Sequence, residues 1–243
     1  MSLSYTTRRF EGRRAPLEGW SGGSTWDVVT RRLHSENPEQ KAINYLLYGM
    51  TSETFGRKTG FNRGLGGSMH AFFPPLGIYP NNAIVGGSGP LATGAGLFHR
   101  VQSTPGIVVA SVGDAATGTG QLWESFIFAS MGQFRTLMDE HHTGGLPVVF
   151  FIVNNFYGMG GQPIGETMGY DFVSRMGAGV NPESMHAQTV DGNNPLAVID
   201  AMQSARQAIE SGAGPVLIDC QTYRNSGHSP SDASSYRSKE EVD

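Results

Sequence analysis

The chain has one cysteine, Cys220, in 243 residues, so it can close no internal disulfide, and a reducing compartment is the simplest expectation. It has no stretch approaching eighteen consecutive apolar residues, so no membrane-spanning helix is expected. Arg8, Arg9, Arg13 and Arg14 stand near the start with no apolar segment behind them, so no secretory signal is expected either. An arginine-rich start without lysine has the look of an organelle transit peptide, but Glu11 and Glu18 argue against it. A cytoplasmic location is the expectation, with an organelle matrix second. Charge of one sign is also lacking: 17 Lys and Arg face 21 Asp and Glu in a mixed pattern, net −4, which leaves no electrostatic footprint for nucleic acid. There is no internal repeat and no low-complexity tract.

What is present is apolar side chain and glycine. Hydrophobic residues make up 38% of the chain and glycine contributes 34 positions, enough for a substantial core in one large domain or two small ones. Residues 1–40 are polar and irregular, with Gly19, Gly22, Gly23 and a break at Pro38, and read as an N-terminal arm. Residues 41–243 read as one α/β domain. Residues 41–50 suit a short helix, and 56–82, dense in Gly, Pro and Asn, suit loops. An alternation follows: strands at 83–85, 107–112, 148–153, 187–190 and 216–220, and helices at 91–100, 121–138, 171–176 and 195–210. Such alternation predicts a doubly wound, mostly parallel sheet with helices on both faces. The helix over 121–138 is apolar nearly all round, through Leu122, Trp123, Phe126, Ile127, Phe128 and Met131, so it is expected to be buried or packed against another subunit.

Two of the expected strands end in the same manner. Gly106-Ile107-Val108-Val109-Ala110-Ser111-Val112 runs into Gly113-Asp114-Ala115, and Pro147-Val148-Val149-Phe150-Phe151-Ile152-Val153 runs into Asn154-Asn155. Either ending alone also suits an ordinary turn. Together they place a carboxylate and a carboxamide just beyond the carboxyl ends of buried parallel strands, where open α/β sheets bind ligands. These are hard oxygen donors, suited to a magnesium or calcium ion that carries a ligand's phosphates. Ile84-Val85-Gly86-Gly87-Ser88-Gly89-Pro90 is a glycine-rich strand-to-helix turn, able to cradle a phosphate or to serve as a tight turn only.

Five segments occur in register. They are Arg57-Lys58-Thr59-Gly60-Phe61-Asn62-Arg63-Gly64-Leu65-Gly66-Gly67-Ser68-Met69-His70, the segment Ile84 to Gly96, Gly113-Asp114-Ala115, Asn154-Asn155-Phe156-Tyr157-Gly158-Met159-Gly160, and Gly227-His228-Ser229-Pro230-Ser231-Asp232 followed by Tyr236-Arg237. In this order they resemble the alpha subunits of the thiamine-diphosphate-dependent 2-oxo acid dehydrogenases: the pyruvate, branched-chain 2-oxo acid and acetoin dehydrogenases. The resemblance covers about residues 43–242. It implies the thiamine-diphosphate-binding fold and an enzyme subunit in which Asp114, Asn155 and the carbonyl of Tyr157 hold Mg2+. Gly113, Ala115 and Gly158 let backbone N–H groups approach the diphosphate, and the family usually has glycine where Ala115 stands. The backbone around Gly86 and Ser88 would contact the cofactor's aminopyrimidine ring. His228 would face the thiazolium ring in both a cofactor-contacting and a catalytic role, as a proton donor near neutral pH. His70 has a similar catalytic claim. His141 and His142 read as surface loop, and Ser229 and Ser231 match serines that are phosphorylated in some relatives.

The resemblance also implies partners. The chain offers no candidate for the glutamate that activates the aminopyrimidine, since Glu124 and Glu166 lie too close to the diphosphate-side strands. A beta subunit would complete the site in an α2β2 assembly, and the acyl group from a small 2-oxo acid would pass to a lipoyl acyltransferase. Neither a nucleic acid nor a membrane is an expected partner. Departures from the pattern keep two other readings open: an acetoin-cleaving or other thiamine-diphosphate lyase or transferase, and a non-catalytic relative acting as a binding or assembly module. Asp114 and Asn155 stand 41 positions apart, more than in relatives, with the excess in 134–145. The Tyr-Arg pair that grips the diphosphate in relatives has no counterpart between residues 20 and 45, Arg31-Arg32-Leu33-His34 being the nearest candidate. Relatives continue with further helices beyond the segment matching Tyr236 to Glu241, which leaves a compact variant and a fragment both open.

Overall fold

The computed structural model describes residues 37–80, 83–161, 169 and 172–242. These divide into two compact units, 37–83 and 84–242. The expected arm lies outside the described residues as far as residue 36. Its last residues begin a helix, α1 (Pro38–Thr54). Pro38, read from sequence as a break, occupies the first helical turn, where the N–H that proline lacks has no partner to lose. Asn37 caps the helix by accepting the N–H of Glu39 at 2.9 Å.

The smaller unit is α1 packed on turns. Tyr45 meets Phe61 and Phe73 edge-on at 5.5 and 5.8 Å between ring centroids, and Phe61 stacks on Phe73 at 4.2 Å. The remaining regular structure described here is a 3-10 turn, Pro74–Leu76, with one antiparallel bridge, Phe73 to Ile78. A buried carboxylate organises the glycine-rich loop: Glu53 accepts the N–H groups of Asn62 at 2.7 Å, Gly64 at 2.9 Å and Gly66 at 2.6 Å. Burial pushes the Glu53 carboxyl up, but the N–H groups of Gly64, Gly66, Asn62 and Gly67 prevail and hold it below its ordinary value.

The larger unit is a four-stranded sheet in the order β1-β2-β4-β3, with every pairing parallel. Its elements in chain order are α2 (Ser88–Val101), β1 (Val108–Gly113), a 3-10 turn (Asp114–Gly118), α3 (Gly120–Ala129), α4 (Gln133–Thr136), β2 (Val148–Asn154), α5 (Ser174–Val180), β3 (His186–Asp191), α6 (Pro195–Glu210), β4 (Val216–Gln221) and α7 (Lys239–Val242). Alternate strand residues serve two cores. Val108, Ala110, Val112, Val148, Phe150, Ile152 and Leu217 pack with Ala92, Leu122, Phe126 and Met176 of α2, α3 and α5. Val149, Val216, Ile218 and Cys220 pack with Ala201, Ala205 and Ile209 of α6. Helices thus cover both faces, as the doubly wound reading requires.

Two expectations differ from the structure. Residues 83–85 form no strand: the N–H of Gly87 donates to the carbonyl of Ile84 at 2.9 Å, Gly86 is left-handed at φ +79°, and the segment is a turn. Three apolar residues before two glycines are too short to hold a ladder. The helix expected over 121–138 stops at Ala129. Ser130 turns its hydroxyl back to the Phe126 carbonyl at 2.8 Å, and Asn181 donates to the Ser130 carbonyl at 2.8 Å, closing the helix end. The short helix expected at 171–176 lies at Ser174–Val180, and residue 171 itself falls outside the described residues.

Among the described residues no helix is long and apolar enough to cross a membrane. Helix α2 approaches the sheet through glycine: a Cβ on Gly96 would stand 2.4 Å from Cγ2 of Val148, whereas one on Gly94 would meet nothing within 4 Å. Alanine gains about 1 kcal/mol over glycine inside a helix, and overpacking a core costs about 1–3 kcal/mol. Gly94→Ala should therefore raise the stability measured by urea unfolding by up to about 1 kcal/mol, and Gly96→Ala should lower it. A Gly96→Ala variant as stable as Gly94→Ala would show that α2 does not rest on β2 there.

Candidate functional site

Parallel pairing brings the carboxyl ends of the strands to one edge. Gly113 is in register with Val153, and Asn154 with Gln221. Asp114 therefore opens its 3-10 turn beside the Asn154–Gly158 turn, and the residues after β4 follow on the other side.

Asp114 is almost fully buried, and its Oδ2 has no hydrogen-bond partner. Burial pushes the carboxyl up from 3.8 to about 6. The N–H groups of Ala115, of Asp114 itself and of Phe156, and the Arg224 charge, pull the other way. Asn154 is fully buried. Its Nδ2 donates to Asp219 Oδ1 at 3.0 Å, and its Oδ1 accepts the N–H of Phe156 at 3.2 Å. Asn155 is half-buried, with Oδ1 accepting the N–H of Tyr157 at 3.1 Å. The Tyr157 carbonyl accepts Arg224 Nη2 at 2.7 Å, and the Gly158 carbonyl accepts Nη1 at 2.9 Å. Each of these oxygens keeps a second lone pair. Gly113 is exposed, and a Cβ there would meet nothing within 4 Å, so the space before Asp114 is open. A cation fits this donor set: one buried carboxylate with an unused oxygen, a carboxamide oxygen and a backbone carbonyl, all hard donors.

The turn that carries Gly86 and Ser88 lies against the same edge. A Cβ on Gly86 would stand 2.2 Å from Thr119 Oγ1, just past the Asp114 turn, and the Ser88 hydroxyl donates to the Ser111 carbonyl of β1 at 3.4 Å. The segment from Tyr223 to Arg237 closes over the Tyr157 turn. Arg224, buried, also donates to the Tyr236 hydroxyl at 3.2 Å, and Tyr236 donates to Asp232 Oδ2 at 3.0 Å. The same oxygen accepts the N–H of His228 at 2.8 Å. The N–H groups of His228 and then Ser234 hold the Asp232 carboxyl below its ordinary value. The Arg237 guanidinium lies over the rings of Tyr157, Tyr223 and Tyr236 at 5.4 to 5.6 Å.

Of the residues singled out in the sequence, Asp114, Ala115, Gly113, Asn155, Tyr157 and Gly158 come together at the ends of β1 and β2, with Gly86 and Ser88 alongside. His228 is exposed on the loop after β4. His70 belongs to the smaller unit, where its N–H donates to the Gly66 carbonyl at 3.0 Å. Glu124 is exposed on α3, and Glu166 and Arg31 to His34 lie outside the described residues. Sequence reasoning named Asn154 only as part of the Asn154-Asn155 pair, without a role, and did not single out Asp219, Arg224 or Glu53. A signal existed for Asp219, a lone carboxylate within an otherwise apolar strand, which seldom occurs unpaired.

The geometry is that of a parallel α/β protein whose oxygen-donor site sits at the carboxyl edge of its sheet. A family model described as the dehydrogenase E1 component matches residues 34–243, and the chain belongs to that family. It is 37% identical over 195 residues to the alpha subunit of an acetoin:2,6-dichlorophenolindophenol oxidoreductase of Bacillus subtilis, covering 80% of this chain and 54% of the relative. It is 35% identical over 202 residues to the pyruvate dehydrogenase E1 component subunit alpha of Zymomonas mobilis, covering 81% and 52%. It is 36% identical over 237 residues to the mitochondrial pyruvate dehydrogenase E1 component subunit alpha of Dictyostelium discoideum, covering 96% and 57%. The chain thus spans about half the length of these curated relatives.

The raised Asp114 carboxyl makes stability depend on pH. Below pH 3.8 the acid is protonated folded or unfolded and has no effect; above about 6 the fold holds the charged form at a penalty. Asp114→Asn should therefore be more stable than the parent at pH 7.5, by up to about 3 kcal/mol at 1.36 kcal/mol per pH unit. The gap should close as the pH falls toward 4. Urea unfolding at several pH values checks this, and a variant no more stable than the parent at pH 7.5 contradicts it.

Proposed function

We propose that this chain acts as the alpha subunit of a thiamine-diphosphate-dependent 2-oxo acid dehydrogenase and supplies the diphosphate-binding half of its active site. The observation that carries the reading is the unpartnered, buried Oδ2 of Asp114 beside the carboxamide of Asn155 and the carbonyl of Tyr157. The described residues hold no cluster of three or more His, Cys, Asp or Glu suited to a metal. One carboxylate is too few for a dedicated all-protein site, but it suits a Mg2+ that shares its coordination with substrate or cofactor phosphates. Asp114, Asn155 and Tyr157 would hold that ion. Gly113, Ala115 and Gly158 would keep side chains away from the diphosphate and leave N–H groups to face it. When bound, thiamine diphosphate supplies the electron sink for decarboxylation.

The other residues bind, orient and move protons. The turn at Gly86 and Ser88 would support the cofactor's ring through backbone. His228, on a loop held by Asp232, would carry a proton to and from the reacting centre, and His70 has a second proposed catalytic role. Arg224 does not replace the diphosphate-gripping arginine absent from the sequence: its Nη donors go to Tyr157, Gly158 and Tyr236, so it orders the turn. A beta subunit would complete the site in an α2β2 assembly, with acyl transfer to a lipoyl acyltransferase. The similarity to the Bacillus subtilis acetoin oxidoreductase subunit favours a second reading, in which the substrate is acetoin rather than a 2-oxo acid.

Calorimetric titration with thiamine diphosphate and Mg2+ should show binding that Asp114→Ala abolishes and Asn155→Ala weakens less, since only the first removes an anionic ligand. Equal binding by Asp114→Ala would remove the metal assignment. In turnover assays the chain alone should decarboxylate no 2-oxo acid, and adding its beta subunit should restore activity. His228→Ala in that complex should lower turnover by about a hundredfold or more with little change in melting temperature. Robust decarboxylation by the isolated chain would rule out the two-subunit model.

A further inference from the structure

Asp219 lies in the middle of β4, fully buried, in a strand that is otherwise apolar but for its last residue. Among the described residues it has no cationic partner within ion-pair distance. Its Oδ1 accepts Asn154 Nδ2 at 3.0 Å, and its Oδ2 accepts the N–H of Ser174 and the hydroxyl of Thr189, both at 3.4 Å. Both side-chain oxygens of Asp219 act here as acceptors. Asp219 therefore dictates which way the Asn154 carboxamide points: NH2 toward Asp219, oxygen away from it. That oxygen then accepts the N–H of Phe156 at 3.2 Å. Phe156 stands at φ +64°, a left-handed conformation disfavoured for a residue with a Cβ and unusual for a bulky aromatic. The Asn154 carbonyl is fixed too, accepting the N–H of Thr222 at 2.8 Å. Between and just beyond these two anchors lie Asn155 and the Tyr157 carbonyl.

We infer that Asp219 is a positioning residue for the cation-binding turn: its buried carboxylate orients Asn154, and Asn154 holds Phe156 in the left-handed conformation that presents Asn155 and the Tyr157 carbonyl to the ion. The inference rests on the proposed reading of the site. Asp219 touches neither ion nor cofactor in this account. It acts from the strand behind, through one carboxamide. If Asp219 becomes Asn, the Asn154 amide is free to turn over. Its NH2 then faces the N–H of Phe156, donor against donor, and the turn loses the bond that keeps it left-handed.

Three variants of the full chain test this, each titrated calorimetrically with thiamine diphosphate and Mg2+ and unfolded in urea. Asp219→Asn should bind about tenfold or more weakly than the parent. Asn154→Asp combined with Asp219→Asn exchanges carboxylate and carboxamide across the same hydrogen bond and keeps an acceptor for Phe156, so it should bind within about threefold of the parent. Phe156→Gly in the Asp219→Asn background removes the conformational penalty at position 156 and should recover most of the lost affinity. A purely structural role for Asp219 would give a stability defect that glycine at 156 does not repair. A folded Asp219→Asn that binds like the parent overturns the inference, as does failure of both rescues. If Asp219→Asn does not fold, the exchanged pair decides: retained affinity supports the relay, lost affinity overturns it. Absence of binding by the parent chain overturns the reading of the site itself, and this inference with it.

Discussion

Parallel pairing of β1, β2 and β4 is the constraint from which the rest of this molecule follows. Strands that run the same way stop at the same edge, and where each stops its backbone leaves the ladder and needs other partners. β1 leaves into the Asp114 3-10 turn, β2 into the Asn154 turn, and β4 into the segment that Arg224 ties back over Tyr157. Helices over both faces leave that edge as the place where polar side chains from three strands can meet without entering a core.

Three buried carboxylates show how differently one chemical group can be treated in a single chain. Glu53 is surrounded by backbone N–H groups and is comfortable when ionised. Asp219 is supplied with a carboxamide, an N–H and a hydroxyl. Asp114 alone among the three keeps an oxygen with no partner and a carboxyl displaced toward the protonated form. The fold satisfies two buried carboxylates and leaves the third wanting, and that contrast within one chain supports the proposed ligand role of Asp114 more than the residue's position alone.

Strands β1, β2 and β4 were legible in the sequence because they are largely apolar runs, and such runs declare themselves whatever surrounds them; β3, polar and only partly buried, owed its reading to the strand-helix alternation around it. Helix α6, with Asn194 before Pro195, was legible to the residue. The 83–85 segment was not, because three apolar residues carry no period, and the glycines behind them favour a turn. The end of α3 was misjudged because it depends on Asn181, fifty-one residues away, which no local pattern contains. At the site, Asp114 and Asn155 could be read because they follow strands directly. Arg224 could not, since it acts on carbonyls remote in sequence and belongs to no motif spacing, and Asp219 showed only as a carboxylate in an apolar strand, without its partner Asn154 sixty-five residues away.

The cradle around Glu53 bears on what the smaller unit can recognise. A ring of converging N–H groups in a glycine-rich loop usually advertises a taste for anions. Here the anion is built in and arrives from α1 on folding, so the loop is in effect already liganded by its own chain. Its donors at 62, 64 and 66 are spoken for before any phosphate arrives. The shape of that glycine-rich loop is therefore a property of the folded unit rather than of the bound state, and no ordering of its 62–66 backbone need accompany the arrival of a ligand.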